Sequence, residues 1–95
     1  MYLVVLRRSG PEWDATRPLD EQSHWTSHAE YMDHLVAHGV VVLGGPLADE
    51  ERVILIMEGE SESEIRSALS EDPWAVTHLE VESVDEWTIR LDGRN

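Results

Sequence analysis

Residues 23–46 read SHWTSHAEYMDHLVAHGVVVLGGP, and the order of events in that stretch decides the fold. A histidine-bearing segment with helical spacing runs to Gly39, a natural helix stop. It passes directly into the apolar, β-branched run Val40 to Leu43, which reads as a strand. Gly44-Gly45-Pro46 then closes the strand with a turn where backbone can approach another group closely. The helix is expected to open at Leu19 or Asp20, with Ser23 a second candidate cap, and to end near His38.

At 100° per residue, Trp25, Ala29, Met32, Leu35 and Val36 share one arc of roughly 120°. His28 falls within it. His24 lies just past its edge beside Tyr31, while His34 and His38 turn toward the solvent side with Glu30 and Asp33. Four of the chain's five histidines lie in this stretch, and His28 alone points where the helix meets a sheet.

Upstream, Tyr2 to Leu6 is a short apolar strand ended by Ser9-Gly10-Pro11. Downstream, Val53 to Met57 is a third strand, again apolar on both faces. Ser61-Glu62-Ser63-Glu64 is a capping pattern opening a short amphipathic helix through Ile65, Ala68 and Leu69. Pro73 disfavours α geometry at Asp72, so that helix ends there. Leu79, Val81, Trp87, Ile89 and Leu91 share a period-two phase in a last strand region from Leu79 to Leu91. Val84 is out of phase, which predicts a bulge or bend near Ser83 to Asp85.

The resulting order, β-α-β-β-α-β, predicts an α+β chain with a ferredoxin-like split βαβ sandwich. Both helices cover one face of a four-stranded antiparallel sheet, and residues 1–95 form one domain. Two strands that are apolar on both faces need cover on the second face. The simplest cover is the sheet of a second copy, so a homodimer packed sheet to sheet is expected.

Composition narrows the function. Twenty acidic residues against seven basic ones give a formal charge of −13, which argues against nucleic acid and anionic membrane surfaces as partners. No apolar run approaches the ~20 residues of a membrane span. The apolar N-terminal run precedes Arg7 and Arg8, the reverse of the secretory order, so a soluble, cytoplasmic protein is expected. Absence of cysteine removes thiolate and disulfide chemistry.

Histidine is the side chain suited to proton transfer near neutral pH, which makes His28 the first candidate; the plain alternative is a hydrogen-bonded structural histidine. Asp72, followed by Pro73, is the expected cap of a short helical turn. Its second carboxylate oxygen is free to orient an imidazole and favour the charged ring. The i,i+4 pairs His24/His28 and His34/His38 have metal-ligand spacing, but neither carries the glutamate of an HExxH motif, and a third ligand must come from Asp72 or His78. No metal and no cofactor is expected. Gly44-Gly45-Pro46 lacks the features of a phosphate loop. It reads as a turn or as a pocket wall that Trp25 and Trp74 also line. Arg7, at the end of the first strand, is placed to meet an anionic substrate or simply solvent.

These residues together resemble the YciI-like (YCII-related) proteins of the dimeric α/β-barrel superfamily. The resemblance rests on His28 ahead of Leu35 to Gly39, on Gly44-Gly45-Pro46-Leu47 after an apolar strand, on Asp72-Pro73-Trp74, and on Trp87 in the last strand region. It spans nearly the whole chain. It departs from the commonest pattern in having Trp74 after Pro73, and Thr77-His78 where many members have Ala-Gly. The resemblance implies a ferredoxin-like protomer with its sheet packed on a partner's in a dimeric barrel, and an active site of His28 and Asp72. A few similar proteins are dehalogenases of chlorinated muconolactones or chlorohydroxyquinones, and muconolactone isomerases share the wider superfamily. The expected function is therefore a small cofactor-free lyase or isomerase that moves a proton on a small carbonyl compound. Arg7, Trp25, Gly45, Pro46 and Trp74 would hold the substrate, with His24 and His78 open as further contributors. The alternative is a non-catalytic ligand-binding or regulatory dimer on the same fold.

Overall fold

The computed structural model describes residues 1–94. Alternation along β1 (Tyr2–Arg7) defines two sheet faces: Tyr2, Val4 and Leu6 are buried, while Leu3, Val5 and Arg7 on the other face are half-buried. The remaining elements follow in the order α1 (Trp25–Ala37), β2 (Val41–Pro46), β3 (Arg52–Met57), α2 (Glu62–Ser70) and β4 (Glu80–Glu86). The strands form one sheet in the order β2-β3-β1-β4, with every neighbouring pair antiparallel. This is the β-α-β-β-α-β order expected, in an α+β architecture compatible with a ferredoxin-like sandwich. The core is one cluster in which Leu35 of α1 and Ile65 and Leu69 of α2 join Val4, Leu6, Leu55 and Met57 of the sheet. No helix among the described residues is long and apolar enough to cross a membrane.

The first helix starts later than its pattern predicts. Leu19–Glu21 is a single 3-10 turn, and α1 begins at Trp25. Two features break the path. The buried Gln22 carboxamide accepts from the Asp14 N–H (2.9 Å) and donates to the carbonyls of Asp14 (2.6 Å) and Arg17 (2.9 Å), pinning the preceding loop. His24 then adopts a left-handed conformation at φ 60°, a poor continuation of a right-handed helix. At its other end α1 closes as expected. Gly39 sits at φ 73°, its N–H bonds the Val36 carbonyl, and Val40 N–H bonds the Leu35 carbonyl. That is a Schellman closure, and the positive φ suits glycine.

The buried stripe of α1 is also rotated from the expected arc. Val36 is 56% exposed, whereas Tyr31 is partly covered and donates from its hydroxyl to the Ala68 carbonyl of α2 (2.5 Å). Contact with α2 turns the His28–Tyr31–Leu35 side inward and leaves Val36 outside. In α2 the cap is as expected: Ser61 Oγ accepts from Glu64 N–H at 3.2 Å.

Gly44-Gly45-Pro46 is strand, not turn. Gly44, Gly45 and Pro46 pair with Leu55, Ile54 and Val53 in β3. Proline is tolerated because β2 is an edge strand. A side chain on Gly44 would meet Leu55 Cδ2 at 2.5 Å, so it would have to displace the end of the buried Leu55 side chain.

The final strand is shorter than its alternation suggests and ends at Glu86 rather than Leu91. Its irregularity lies at Glu82, one residue ahead of the expected bend: Val81 pairs with Leu6 and Ser83 with Val5, leaving Glu82 over. The extra residue resets the phase, which is why Val84, across from Val4, is buried. On the second face Leu3, Val5, Ile54 and Ile56 are half-buried. Beside them Leu43 (52% exposed) and Trp87 (43%) meet solvent.

Candidate active site

The two residues singled out from opposite halves of the chain are in contact. His28 Nδ1 lies 2.8 Å from Asp72 Oδ1 and 2.9 Å from Oδ2, and both side chains are largely buried. Asp72 follows the end of α2, where its N–H bonds the Leu69 carbonyl at 3.2 Å. Asp72 Oδ1 also accepts from Trp74 N–H at 2.9 Å, so the carboxylate caps the turn and holds the imidazole at once. A carboxylate can only accept, so Nδ1 carries the proton in the neutral ring and Nε2 is left as the basic atom. Among the described residues Nε2 makes no hydrogen bond, yet it is not one of the buried atoms lacking a partner. It is therefore open to a small molecule.

Trp74, 1% exposed, is the packing centre. Its indole stacks on His28 with centroids 4.0 Å apart and planes within 6°. Its other stacking partner is His78, at 4.7 Å and 13°. Trp13 meets it edge-on at 5.7 Å, and Nε1 donates to the Ser23 carbonyl at 2.8 Å. The loop that carries Trp74 is fastened to the loop after β1. Gly10 N–H bonds the His78 carbonyl and Glu12 N–H bonds the Thr77 carbonyl, and a side chain on Gly10 would collide with Thr77.

His28 opens into a cavity of about 130 Å³ whose walls include Trp25, Met32, Pro46, Leu55, Trp74 and Arg8. At ~30 Å³ per water this holds about four waters or one small organic molecule. A larger cleft of about 410 Å³ lies on the other side of the pair, reaching Asp72, with Leu69, Val76 and Val81 in its walls. Leu6 and Leu79 border both spaces.

Of the residues expected to hold substrate, Trp25, Pro46 and Trp74 line the cavity with His28. Arg7 and Gly45 do not. Arg7 points to the opposite face, where it pairs with Glu82 (2.8 Å) and Glu51 (3.5 Å). Gly45 borders a shallow depression with Leu43, Ile54 and Ile56. Arg8, which sequence reasoning passed over, lines the cavity instead. The signal was present: Tyr2, Val4, Leu6 and Arg8 share one phase of the strand. His24 and His78 are apart from the cavity walls. Their rings meet edge-on at 6.4 Å, and His78 is bonded by Ser23 Oγ (2.9 Å) and Thr77 Oγ1 (2.8 Å). His34 and His38 meet on the exposed face of α1, their ring centroids 4.1 Å apart and their planes tilted by 42°. Among the described residues no group of three or more His, Asp or Glu side chains is arranged to hold a metal ion.

Burial pushes the His78 imidazole below its ordinary value, reinforced by His24 and His28 and opposed by Glu12 and Asp72. In the unfolded chain the ring titrates near 6.5. As pH falls through that value the unfolded state takes up the proton first, so stability is lost on acidification toward the folded value. The melting temperature is expected to fall between pH 7.5 and 5.5, and by less in a His78→Gln variant. Equal falls in both proteins would remove His78 as the cause.

No family model, curated protein or solved structure matches the chain.

Proposed function

We propose that the protein is a small cofactor-free enzyme that moves a proton on a small carbonyl compound, with His28 as the base and Asp72 as its orienting partner. The observation that carries the reading is the His28–Asp72 contact, which assigns the proton to Nδ1 and leaves Nε2 free at a cavity. Nε2 takes a proton from carbon next to the carbonyl, and the C–H electron pair moves into an enolate. Return of the proton at another carbon isomerises the compound. Departure of chloride with the electron pair gives net loss of HCl. A lactone or quinone meets these requirements, in keeping with the resemblance to YciI-like proteins. Asp72 stabilises the imidazolium, and the apolar walls strengthen that attraction by excluding water.

The test is proton exchange in D₂O. Small lactones and cyclic diketones incubated with the protein are expected to lose the proton signal next to the carbonyl faster than with buffer. His28→Gln is expected to abolish the enhancement. Enhancement that survives in His28→Gln refutes the assignment.

The same reading takes the uncovered sheet face, with Leu3, Val5, Ile54 and Ile56, as the seat of a second copy in a dimeric barrel. Sedimentation at micromolar concentration is expected to show a dimer; a stable monomer sinks this part of the proposal. A cytoplasmic location, with a small molecule and a second copy as partners, belongs to the same reading.

A further inference from the structure

Arg8 lines both the His28 cavity and a cleft of about 510 Å³ bordered by Trp13 and Glu50, and its charge is uncommitted. All seven basic residues are arginines. Five of them, Arg7, Arg17, Arg52, Arg66 and Arg94, pair with carboxylates. Among the described residues Arg8 has no carboxylate within ion-pair distance, although the chain carries twenty acidic side chains. Its guanidinium is nonetheless held in place. Nη1 donates to the Glu50 carbonyl at 2.9 Å, and the group lies over the Trp13 ring with its central carbon 4.8 Å from the centroid. Trp13 in turn packs edge-on against Trp74.

Its Nε is the one buried side-chain nitrogen or oxygen among the described residues with no hydrogen-bond partner. Such a group is rare in folded proteins, because leaving a buried donor unmade forfeits its hydration without return. With Nη1 committed to Glu50, Nε and Nη2 are the remaining side of the guanidinium. That side is the fork that takes a carboxylate through two parallel hydrogen bonds.

The geometry points to Arg8 as the residue that binds an anionic group of the substrate, so that the substrate is a small organic acid rather than a neutral carbonyl compound. The inference rests on reading the His28 cavity as the substrate site. A carboxylate on Arg8 anchors one end of the molecule, after a small turn of the guanidinium brings Nε to it. The apolar walls from Met32, Pro46 and Leu55 take the carbon skeleton. His28 then meets a carbon whose position is set by the anchored end. The net charge of −13 makes this local cation more selective, since anions are repelled elsewhere on the surface.

The probes are crotonate and its neutral amide, crotonamide, titrated into the full chain and followed by tryptophan fluorescence, because Trp25 and Trp74 line the cavity and Trp13 lies against Arg8. Crotonate is expected to bind at least tenfold more tightly than crotonamide. Arg8→Met is expected to bring crotonate down to the level of the amide and leave the amide unchanged. Arg7→Met, which removes the same charge one residue away and outside the cavity, is expected to keep the preference. Arg8→Lys keeps the charge without the fork and is expected to lose at least threefold of it, which preserves the test if Arg8→Met does not fold. Equal binding of acid and amide, no binding of either, or an undiminished preference in either Arg8 variant overturns the inference. A clear preference for crotonate with no proton exchange on any carbonyl compound leaves Arg8 standing and removes the proton-transfer reading. Exchange on neutral lactones that Arg8→Met does not slow, with no preference for crotonate, removes Arg8 alone.

Discussion

Trp74→Ala is expected to cost about 3–5 kcal/mol of stability, the range for truncating a fully buried large aromatic residue. A chain of this size holds roughly 5–15 kcal/mol in total, so the variant should lose a large share of it and melt at a clearly lower temperature. Two contributions combine. The first is packing: the side chain is 1% exposed and touches the rings of Trp13, Trp25, His28 and His78. The second is polar: removing the indole leaves the Ser23 carbonyl without the Nε1 hydrogen bond. Trp74→Phe separates them. It keeps a stacking ring but not the donor, and should cost about 1–3 kcal/mol through the lost bond and reduced volume. Urea unfolding of the three proteins is the measurement. A loss below 1 kcal/mol in Trp74→Ala would show that the loop carrying Asp72 is held by its backbone bonds to the β1 side and not by the tryptophan.

That dependence explains why half of the site was readable before the fold. His28 could be placed on the inward side of its helix from spacing alone, since helical periodicity orients a side chain whatever it packs against. Asp72 could be placed at the end of a helix because Pro73 must break it. What spacing cannot give is rotation and phase. The start of α1 moved to Trp25 because a buried Gln22 carboxamide and a left-handed His24 intervene, and neither has a local signature. The inward arc turned away from Val36 because Tyr31 found the Ala68 carbonyl across the core, a contact set by tertiary packing.

The arginine was a matter of phase. A strand apolar on both faces, such as Tyr2 to Leu6, does not reveal which residues face the helices, and the choice between Arg7 and Arg8 turns on that. Once Tyr2, Val4 and Leu6 are known to be buried, Arg8 follows by alternation. Gly45 has the same history. Read as a turn, Gly44-Gly45-Pro46 offers its whole backbone to a ligand. As an edge strand all three border the depression with Leu43, Ile54 and Ile56, and of the three only Pro46 also reaches the His28 cavity.

Asp72→Asn is the change expected to separate chemistry from structure most sharply. The amide matches the carboxylate in shape, and its oxygen can still accept from Trp74 N–H in the place of Oδ1. The amide nitrogen then takes the place of Oδ2, 2.9 Å from His28 Nδ1. A donor at that point favours the tautomer with Nδ1 bare and the proton on Nε2, the atom required to accept one. If the amide turns the other way, its oxygen keeps the tautomer but supplies no charge to the imidazolium, and Trp74 N–H faces a donor. In either arrangement the base is weakened. Proton exchange on a responsive substrate should fall by a factor on the order of 10²–10⁴, the range for losing a positioned base or its tautomer. Stability should change by about 1 kcal/mol, the worth of one altered hydrogen bond. The double variant His28→Gln/Asp72→Asn should be no slower than His28→Gln alone, because residues that act as one unit lose their effect together. Exchange within threefold of the unmodified protein in Asp72→Asn would reduce Asp72 to a cap for the Trp74 turn. A double variant slower than either single one by the product of their effects would assign the carboxylate a role independent of His28.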